Sequence, residues 1–446
     1  MLDHCKSQPE QAVMPRRGIP ALRWWIGSML LLSTVINYID RQTLSLLAPY
    51  LKLQFHWTNT DYAWIIIAFR ITYAIGQSGC GRMLDRLGAK LGLTITVAWY
   101  SSVSVLTSLA SGLLGFAGMR FLLGAGESGN WPAATKVVSE WFPRQERALA
   151  TALFDSGSSI GGAITPFLVL AIYSHWGWRP AFMLPGTLGF LWLVIWRRFY
   201  HSPRQHPRLS AQELELIETE QQDSEHTPQL HTRPSWFGLL KLPQTWAIII
   251  SKSFTDPVWF FVTDWFPIYL IAKGIELRSG LIAIWVPFLA ADAGNFLSGW
   301  FSGLLIRKGW SVGWARKALI IFGGIGVTAL IPTIFTTNLY LIAALFGFAT
   351  FAYACYSTMA NTLPSDVCHA DAVASVSGMS GSGAGIGTII AFWLIGHVSD
   401  ARHASAVHSF DPIVIVAGII PLLGVIPVLM LLRNSKATQQ GQVRQI

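Results

Sequence analysis

The sequence predicts an all-α membrane protein, with twelve transmembrane helices arranged as two six-helix bundles. Three observations predict it. First, the 446 residues are 52% hydrophobic and only 12% charged, with 20 Trp, 25 Phe and a mean hydropathy of +0.45. Soluble domains carry about 25% charged residues, so this composition suits lipid as solvent. Second, apolar stretches of about 20 residues recur along the whole chain. Third, the basic residues are unevenly placed. Of 32 Lys and Arg, 22 lie in the terminal tails and alternate loops, whereas Lys52, Arg179, Lys273, Arg278 and Arg402 lie on the opposite loops. The remaining five lie inside spans. That asymmetry predicts cytoplasmic termini and makes the net charge of +9 a topology signal instead of a nucleic-acid footprint.

The first span, 22–46, is too long for a signal-peptide core, and no small-residue cleavage site follows it. The next five are expected at 62–83, 90–111, 114–140, 147–173 and 179–200. The second six are expected at 245–272, 280–306, 316–336, 338–363, 371–398 and 410–433. Each can cross a hydrocarbon core of about 30 Å at about 1.5 Å per residue. Backbone groups in lipid must pair internally, which selects helices at this length. Pro257 should kink the seventh span. The expected organisation is a cytoplasmic tail (1–21), a bundle (22–200), a cytoplasmic linker (201–244), a second bundle (245–433) and a second tail (434–446). Within the linker, Ser210-Ala211-Gln212-Glu213 reads as a capping box opening a short amphipathic helix over Leu214, Leu216 and Ile217. His201, His206, His226 and His231 fall in this polar stretch and are expected to be solvated.

The halves carry a faint repeat. Ser156-Gly157-Ser158 with Gly161 on the fifth span matches Ser380-Gly381-Ser382 with Gly385 on the eleventh. Arg86-Leu87-Gly88 after the second span matches Arg307-Lys308-Gly309 after the eighth. Parallel six-helix repeats with a substrate site near the midplane are a transporter architecture.

A charge at the bilayer centre costs at least about 2.5 kcal/mol, so each needs a partner or a task. The first half places Asp40 and Arg41 on its first span, and Arg120 and Glu127 on its fourth. The latter two are seven residues apart and share a helix face. Arginine presents a permanent, planar cation matched to a carboxylate. Carboxylates whose protonation depends on burial and on a neighbouring arginine can load and release a proton. The bland alternative is a set of internal salt bridges that only hold helices together. In the second half, Lys252 and Asp256 are four apart and form an intrahelical pair of structural or gating type. Asp292 and Asn295 either line a cavity or serve packing. Tyr353, Tyr356 and Asn361 are candidate hydroxyl contacts. Ser380 lies among Gly378, Gly381, Gly383, Gly385 and Gly387, a run that implies close backbone approach. Trp259, Trp265 and Trp285 either stack on a sugar ring or belong to packing and interfacial belts. Cys5, Cys80, Cys355 and Cys368 show no metal or disulfide spacing, and no metal or cofactor is expected.

Gly81-Arg82-Met83-Leu84-Asp85-Arg86-Leu87-Gly88-Ala89-Lys90 matches the loop signature of the major facilitator superfamily. Further stretches resemble its anion:cation symporter family and, within that, the hexuronate-transporter branch. They are Tyr38-Ile39-Asp40-Arg41, Arg120 to Glu127, Ser139 to Pro143, Phe154 to Gly162, Thr362 to Val367, Asp256-Pro257-Val258-Trp259 and Ala291-Asp292. The resemblance runs over about residues 20–433. It implies proton symport of a small anionic sugar acid by alternating access. It assigns proton coupling to Asp40 and Glu127, and substrate contact to Arg41, Tyr73 and Arg120. Asp85, with Arg86 beside it, falls to the cytoplasmic gate. Arg70 and Asp155 depart from the pattern. Arg70 either anchors a second carboxylate or neutralises a buried acid such as Asp155, for which structural pairing is expected.

Other classes fit less well. No His-Glu-x-x-His, Gly-x-Ser-x-Gly or phosphate loop of Walker type occurs, which speaks against an enzyme or an ATP-driven pump. A membrane sensor would carry a soluble output domain, and the longest polar stretch is 201–244. A drug-exporting antiporter of the same superfamily would place a proline directly after a glycine on the fifth span. Here Ala163 follows Gly162 and Pro166 comes later. The expected setting is the bacterial inner membrane, with the chain acting as a monomer and taking a small carboxylate or dicarboxylate, protons and lipid as its partners.

Overall fold

The computed structural model describes residues 18–222, 236–275, 277–368, 371–401 and 410–432. Cys5, His226, His231, Arg402, residues 1–17 of the N-terminal tail and 434–446 lie outside the described residues, as do the side chains of Trp265 and Arg278. The described residues form helices and connecting turns. In order these are α1 (Leu22–Phe55), α2 (Asn59–Leu87), α3 (Ala89–Thr107), α4 (Gly112–Glu127), α5 (Asn130–Trp141), α6 (Arg144–Trp176), α7 (Trp178–Phe199), α8 (Ala211–Gln222), α9 (Trp236–Leu240), α10 (Pro243–Ala272), α11 (Leu277–Arg307), α12 (Val312–Gly326), α13 (Leu339–Val367), α14 (Val373–Ala401) and α15 (Asp411–Leu431). Six of these stretches, Val312–Phe335 among them, are long and apolar enough to cross a membrane by length and composition. Large apolar side chains such as Leu114, Phe167 and Met430 stay exposed on the outside of the bundle, as lipid-facing positions would.

Most helices match the expected spans to within a few residues, and three depart from them. α1 runs past 46 to Phe55 because Leu44, Leu47 and Leu51 keep helical spacing and bury against Trp57, Phe116 and Trp178. The fourth span breaks into α4 and α5 at Glu127. There Ser128 N bonds to Gly124 O at 3.2 Å and Gly129 N reaches only Gly126 O at 3.4 Å, a tightened turn. The ninth span changes from α12 to a 3-10 stretch, Val327–Phe335, in which Pro332 removes a donor. α10 continues as a helix through Pro257.

The packing carries the repeat. α1 lies on α6 as α10 lies on α14, and α2 lies on α14 as α11 lies on α6. Small residues permit this, although the repeated pair do not serve the same seam: Gly381, the counterpart of Gly157, faces Gln77 on α2. A Cβ at Gly157 would meet Leu31 O at 2.7 Å, and one at Gly387 would meet Ser253 O at 2.2 Å. α2–α14, α6–α11 and α13 against α5 and α6 join the two halves.

The linker folds onto the end of the bundle where α1 begins and α15 finishes, here termed the linker face. Ser210 Oγ accepts from Glu213 N at 3.2 Å, as a capping box requires. The Glu213 carboxylate, however, does not return to Ser210. It accepts from the backbone N–H of Leu22 and of Arg23, each at 3.1 Å, and from Arg23 NH1 at 2.8 Å. The reason is local. The residue preceding α1 is Ala21, which has no oxygen to cap the orphan N–H groups, so a carboxylate from the linker supplies the cap. Arg23 then reaches Glu146 on α6 at 2.6 Å, tying two helices to one linker residue. The expected apolar face splits. Ile217 is buried beside Trp141 and Trp196, Leu214 packs on the same cluster, and Leu216 is exposed. Nor is His206 solvated. It is buried, with its rings' neighbours Trp141 and Phe199, and Arg208 N donates to its Nδ1 at 3.2 Å. That burial lowers its pKa from the ordinary histidine value. Glu213→Ala is expected to destabilise the protein by about 2 kcal/mol, because two N–H donors and a guanidinium lose one buried acceptor. Thermal unfolding in detergent checks this. An unchanged melting temperature would mean that water caps α1 equally well.

Candidate functional site: a cavity between the two halves

A cavity of about 690 Å³ lies between the halves, walled by α1, α2, α4, α5 and α6 on one side and α10, α11, α13 and α14 on the other. Eight of the expected site residues line it: Arg41, Arg70, Tyr73, Arg120, Asp155, Lys252, Asp256 and Asn361.

The first-half pole is built around Arg41. Its Nε donates to Glu127 Oε2 at 2.9 Å, and its NH2 stands 2.8 Å from the same oxygen as an ion pair. Its guanidinium also sits over the rings of Tyr73, Tyr38 and Phe69, at 4.7, 5.0 and 5.1 Å from their centroids. Cation–π contact of this kind holds a cation without neutralising it. Glu127 does not line the cavity. It is fully buried behind Arg41, at the break between α4 and α5, with the Asn37 amide beside its carboxylate, and its Oε1 makes no hydrogen bond of good geometry. An anion placed in the cavity would compete with Glu127 for one guanidinium, and Glu127 Oε1 could take a proton. Arg120 does not pair with Glu127, the residue sharing its helix face. Its NH1 donates to Arg41 O at 3.1 Å and its NH2 is buried without a partner. Asp40 turns away from the cavity towards α3, where Oδ1 accepts from Ser104 Oγ at 2.8 Å and Oδ2 is buried without a partner. Arg70 lies on the cavity wall with its guanidinium over Phe260, at 5.2 Å, across from α2 to α10.

The second-half pole is a chain of polar groups. Trp131 Nε1 donates to Asp155 Oδ1 at 3.0 Å, and Asn361 Nδ2 donates to Asp155 Oδ2 at 3.1 Å. Lys252 Nζ donates to Asn361 Oδ1 and pairs with Asp256 Oδ2 at 3.3 Å. Thus Asp155 is met by Asn361 and not by Arg70. Trp259 and Tyr353 stack nearly parallel, 9° and 5.8 Å apart, on the same wall. Asn295 also lines the cavity and accepts from Thr358 at 2.8 Å. Two expected substrate contacts lie elsewhere. Tyr356 is fully buried, bonded to Ser251 Oγ at 2.8 Å, and Ser380 bonds back to Ser377 O at 2.7 Å within its own helix. Neither lines the cavity, and neither does Asp292.

On the linker face the halves are closed by two ionic knots. In the first, Asp85 accepts from the N–H groups of Ala374 and Ser375, at 3.2 and 2.7 Å, and from Lys136 Nζ at 3.2 Å. A first-half carboxylate thus caps the N-terminus of a second-half helix, where the dipole favours negative charge. The close approach needs glycine: a Cβ at Gly81 would meet Ala374 O at 2.2 Å, and one at Gly378 would meet Gln77 O at 2.2 Å. Arg86, beside Asp85, is exposed. In the second knot, Asp366 accepts from Arg316 Nε at 2.9 Å and from Arg147 at 3.4 Å. Arg316 NH2 also donates to Arg144 O at 2.8 Å. The sequence reading passed over Arg147, Arg316 and Asp366. The signal available was Asp366, inside a family-like stretch at the end of a span.

Among the described residues no group of His, Cys, Asp and Glu is arranged to hold a metal ion, and Cys80, Cys355 and Cys368 are free thiols.

Comparison with known proteins follows the same lines. Residues 30–391 match the family model described as Major Facilitator Superfamily. The hexuronate transporter of Escherichia coli strain K12 is 30% identical over 429 residues, covering 96% of this chain and 98% of the relative. The galacturonate transporter of Dickeya chrysanthemi is 33% identical over 311 residues, covering 69% and 89%. A solved structure of XylE, a proton:xylose symporter bound to 6-bromo-6-deoxy-D-glucose, aligns with a TM-score of 0.74 at 14% identity, over 93% of this chain and 97% of that one. At that identity the likeness shows the fold alone.

Proposed function

The chain belongs to the major facilitator superfamily, and from that premise we propose that it is a secondary active transporter importing a hexuronate-like sugar acid together with protons. The observation that carries this reading is the Arg41–Glu127 pair. A permanent cation stands on the wall of a cavity between the halves, caged by aromatic rings and backed by one fully buried carboxylate. In this reading the substrate carboxylate takes Arg41 from Glu127. A proton on Glu127 compensates the exchange, so that no bare charge is left in a low-dielectric site. Asp40, with one buried oxygen open, is the second proton carrier, and Arg120 is the cation beside it. Tyr73 and Asn361 face the substrate's hydroxyl groups. The named relatives, which include hexuronate, galacturonate and D-galactonate transporters, support the sugar-acid class.

Residues 22–200 and 245–433 act as the two rocking bundles, with the linker face and both termini in the cytoplasm, as the basic surplus favours. The setting is then a bacterial inner membrane and the working unit a monomer. With Asp85 and Asp366 engaged, the described arrangement is closed towards the linker face, and the Asp85 and Asp366 knots are its gate. Dicarboxylates remain the second substrate class, because Arg70 shares the cavity wall with Arg41. The test is uptake of radiolabelled galacturonate into liposomes of purified protein under an inward proton gradient. Accumulation that collapses with a protonophore is the expected result. Absence of uptake would overturn the hexuronate reading, and a dicarboxylate panel would come next.

A further inference from the structure

The second-half pole contains a feature that the Arg41 site does not need. Asp155 stands on α6 and Asn361 on α13, so their hydrogen bond runs between the two halves. Asn361 uses both ends of its amide, donating to Asp155 and accepting from Lys252. These ends fix its orientation, since a flipped amide would set N–H groups against an ammonium and an oxygen against a carboxylate. Trp131 Nε1 occupies the other Asp155 oxygen, and Asp256 takes a second donor of Lys252. An ammonium has three donors, so one is left for a further acceptor. Among the described residues, Lys252 is also the cation that the second half contributes to the cavity lining, where Arg41, Arg70 and Arg120 all come from the first.

We propose that Lys252 is a second contact for the bound anion, and that its engagement unlatches Asp155 from Asn361, coupling occupancy to separation of α6 from α13. The proposal rests on the reading above that the cargo is an anion. An anion that draws the ammonium towards the cavity removes the donor polarising the Asn361 amide, which weakens the bond that amide gives to Asp155. It also adds a negative charge near Asp155, beside that of Asp256, and like charges repel strongly in a site of low dielectric. The latch is thus strongest when the cavity is empty. Lys252 binds; Asp155 is a positioning residue, and Asn361, besides facing the substrate, positions through its bond to Asp155.

The test is a thiol reporter on the linker-face seam. Ser377 is buried there, donating to Thr135 Oγ1 across the halves at 3.3 Å. Ser377→Cys, with Cys5, Cys80, Cys355 and Cys368 replaced by Ser, is labelled from the linker face by an impermeant maleimide. The parent reporter should label slowly when empty and faster with galacturonate. Asp155→Ala should label about tenfold faster than the parent with no substrate present, as expected for loss of one hydrogen bond to a charged group. Asn361→Leu removes the same bond from the other side and should behave alike. Lys252→Gln should lose the response to galacturonate, and Lys252→Arg should regain it. Substrate-free Asp155→Ala and Asn361→Leu proteins that label at the parent's rate would overturn the latch. A full galacturonate response in Lys252→Gln would overturn the role of Lys252. If galacturonate has no effect on the parent, the substrate assignment fails, while the substrate-free comparison still decides the latch.

Discussion

Glu127→Gln is expected to abolish uphill accumulation while leaving exchange of substrate across the membrane intact. Arg41 meets one oxygen of Glu127, by a hydrogen bond from Nε and an ion pair from NH2, and the other oxygen makes no hydrogen bond of good geometry. An amide at 127 mimics the protonated acid. It releases the guanidinium to a substrate carboxylate permanently, and it has no proton to give up when the cavity faces the cytoplasm. Binding and rocking then continue, but the proton gradient no longer biases them. Tenfold in proton concentration corresponds to about 1.4 kcal/mol, so a coupled carrier of one proton can hold about a tenfold substrate gradient at that driving force. For Glu127→Gln the ratio should fall to about one. Gradient-driven uptake and counterflow in the same liposomes separate the two properties. A variant that still concentrates substrate along a pH gradient would remove Glu127 from the coupling mechanism.

Gly81→Val should have an effect of similar size by a different route. A Cβ at this position would lie 2.2 Å from the carbonyl oxygen of Ala374 and 2.9 Å from its carbon. Both are backbone atoms of a helix terminus, so no side chain can swing aside. α2 and α14 must part, and Asp85 then loses the N–H groups of Ala374 and Ser375. Two hydrogen bonds to a charged group are together worth about 3 kcal/mol, which is about a hundredfold in the balance between closed and open linker faces. Uptake should fall to background, while the Ser377→Cys reporter should label readily without substrate. Uptake at the parent's rate would show that the seam need not close during transport.

The sequence revealed these sites unequally, for physical reasons. Arg41 and Glu127 stood out because charges inside apolar spans are costly enough to need a task. Their pairing did not. Seven-residue spacing does put Arg120 and Glu127 on one face of α4, but two turns, roughly 10 Å, separate them along the axis, and Arg41 on α1 takes the carboxylate. Tyr356 and Ser380 were expected in the cavity because of their chemistry. A helix that is apolar or small-residued all round has no polar face to orient it, so a hydroxyl on it can point in any direction. Asp366 was overlooked because a charge at a span end normally meets water, whereas here it meets Arg316 and Arg147. Glu213 was assigned to its own helix, although the greater need lay 191 residues away at an uncapped α1. Most of the helices were legible to within a few residues, since lipid permits few alternatives, whereas the extension of α1 and the breaks after Glu127 and Gly326 were not.

The closure of the linker face by ions has one more consequence. An apolar seam, once opened, would expose hydrocarbon to water and spring shut. Asp85, Lys136, Asp366, Arg147 and Arg316 trade protein partners for hydration when the halves separate, and desolvation offsets much of what pairing supplies. On the proposed reading the closed and open forms are thereby kept close in free energy, so that the small increments contributed by one proton or one substrate would tip the balance. Dissolved salt on that side of the membrane, by screening the ions once they are wet, becomes a dial on the resting position.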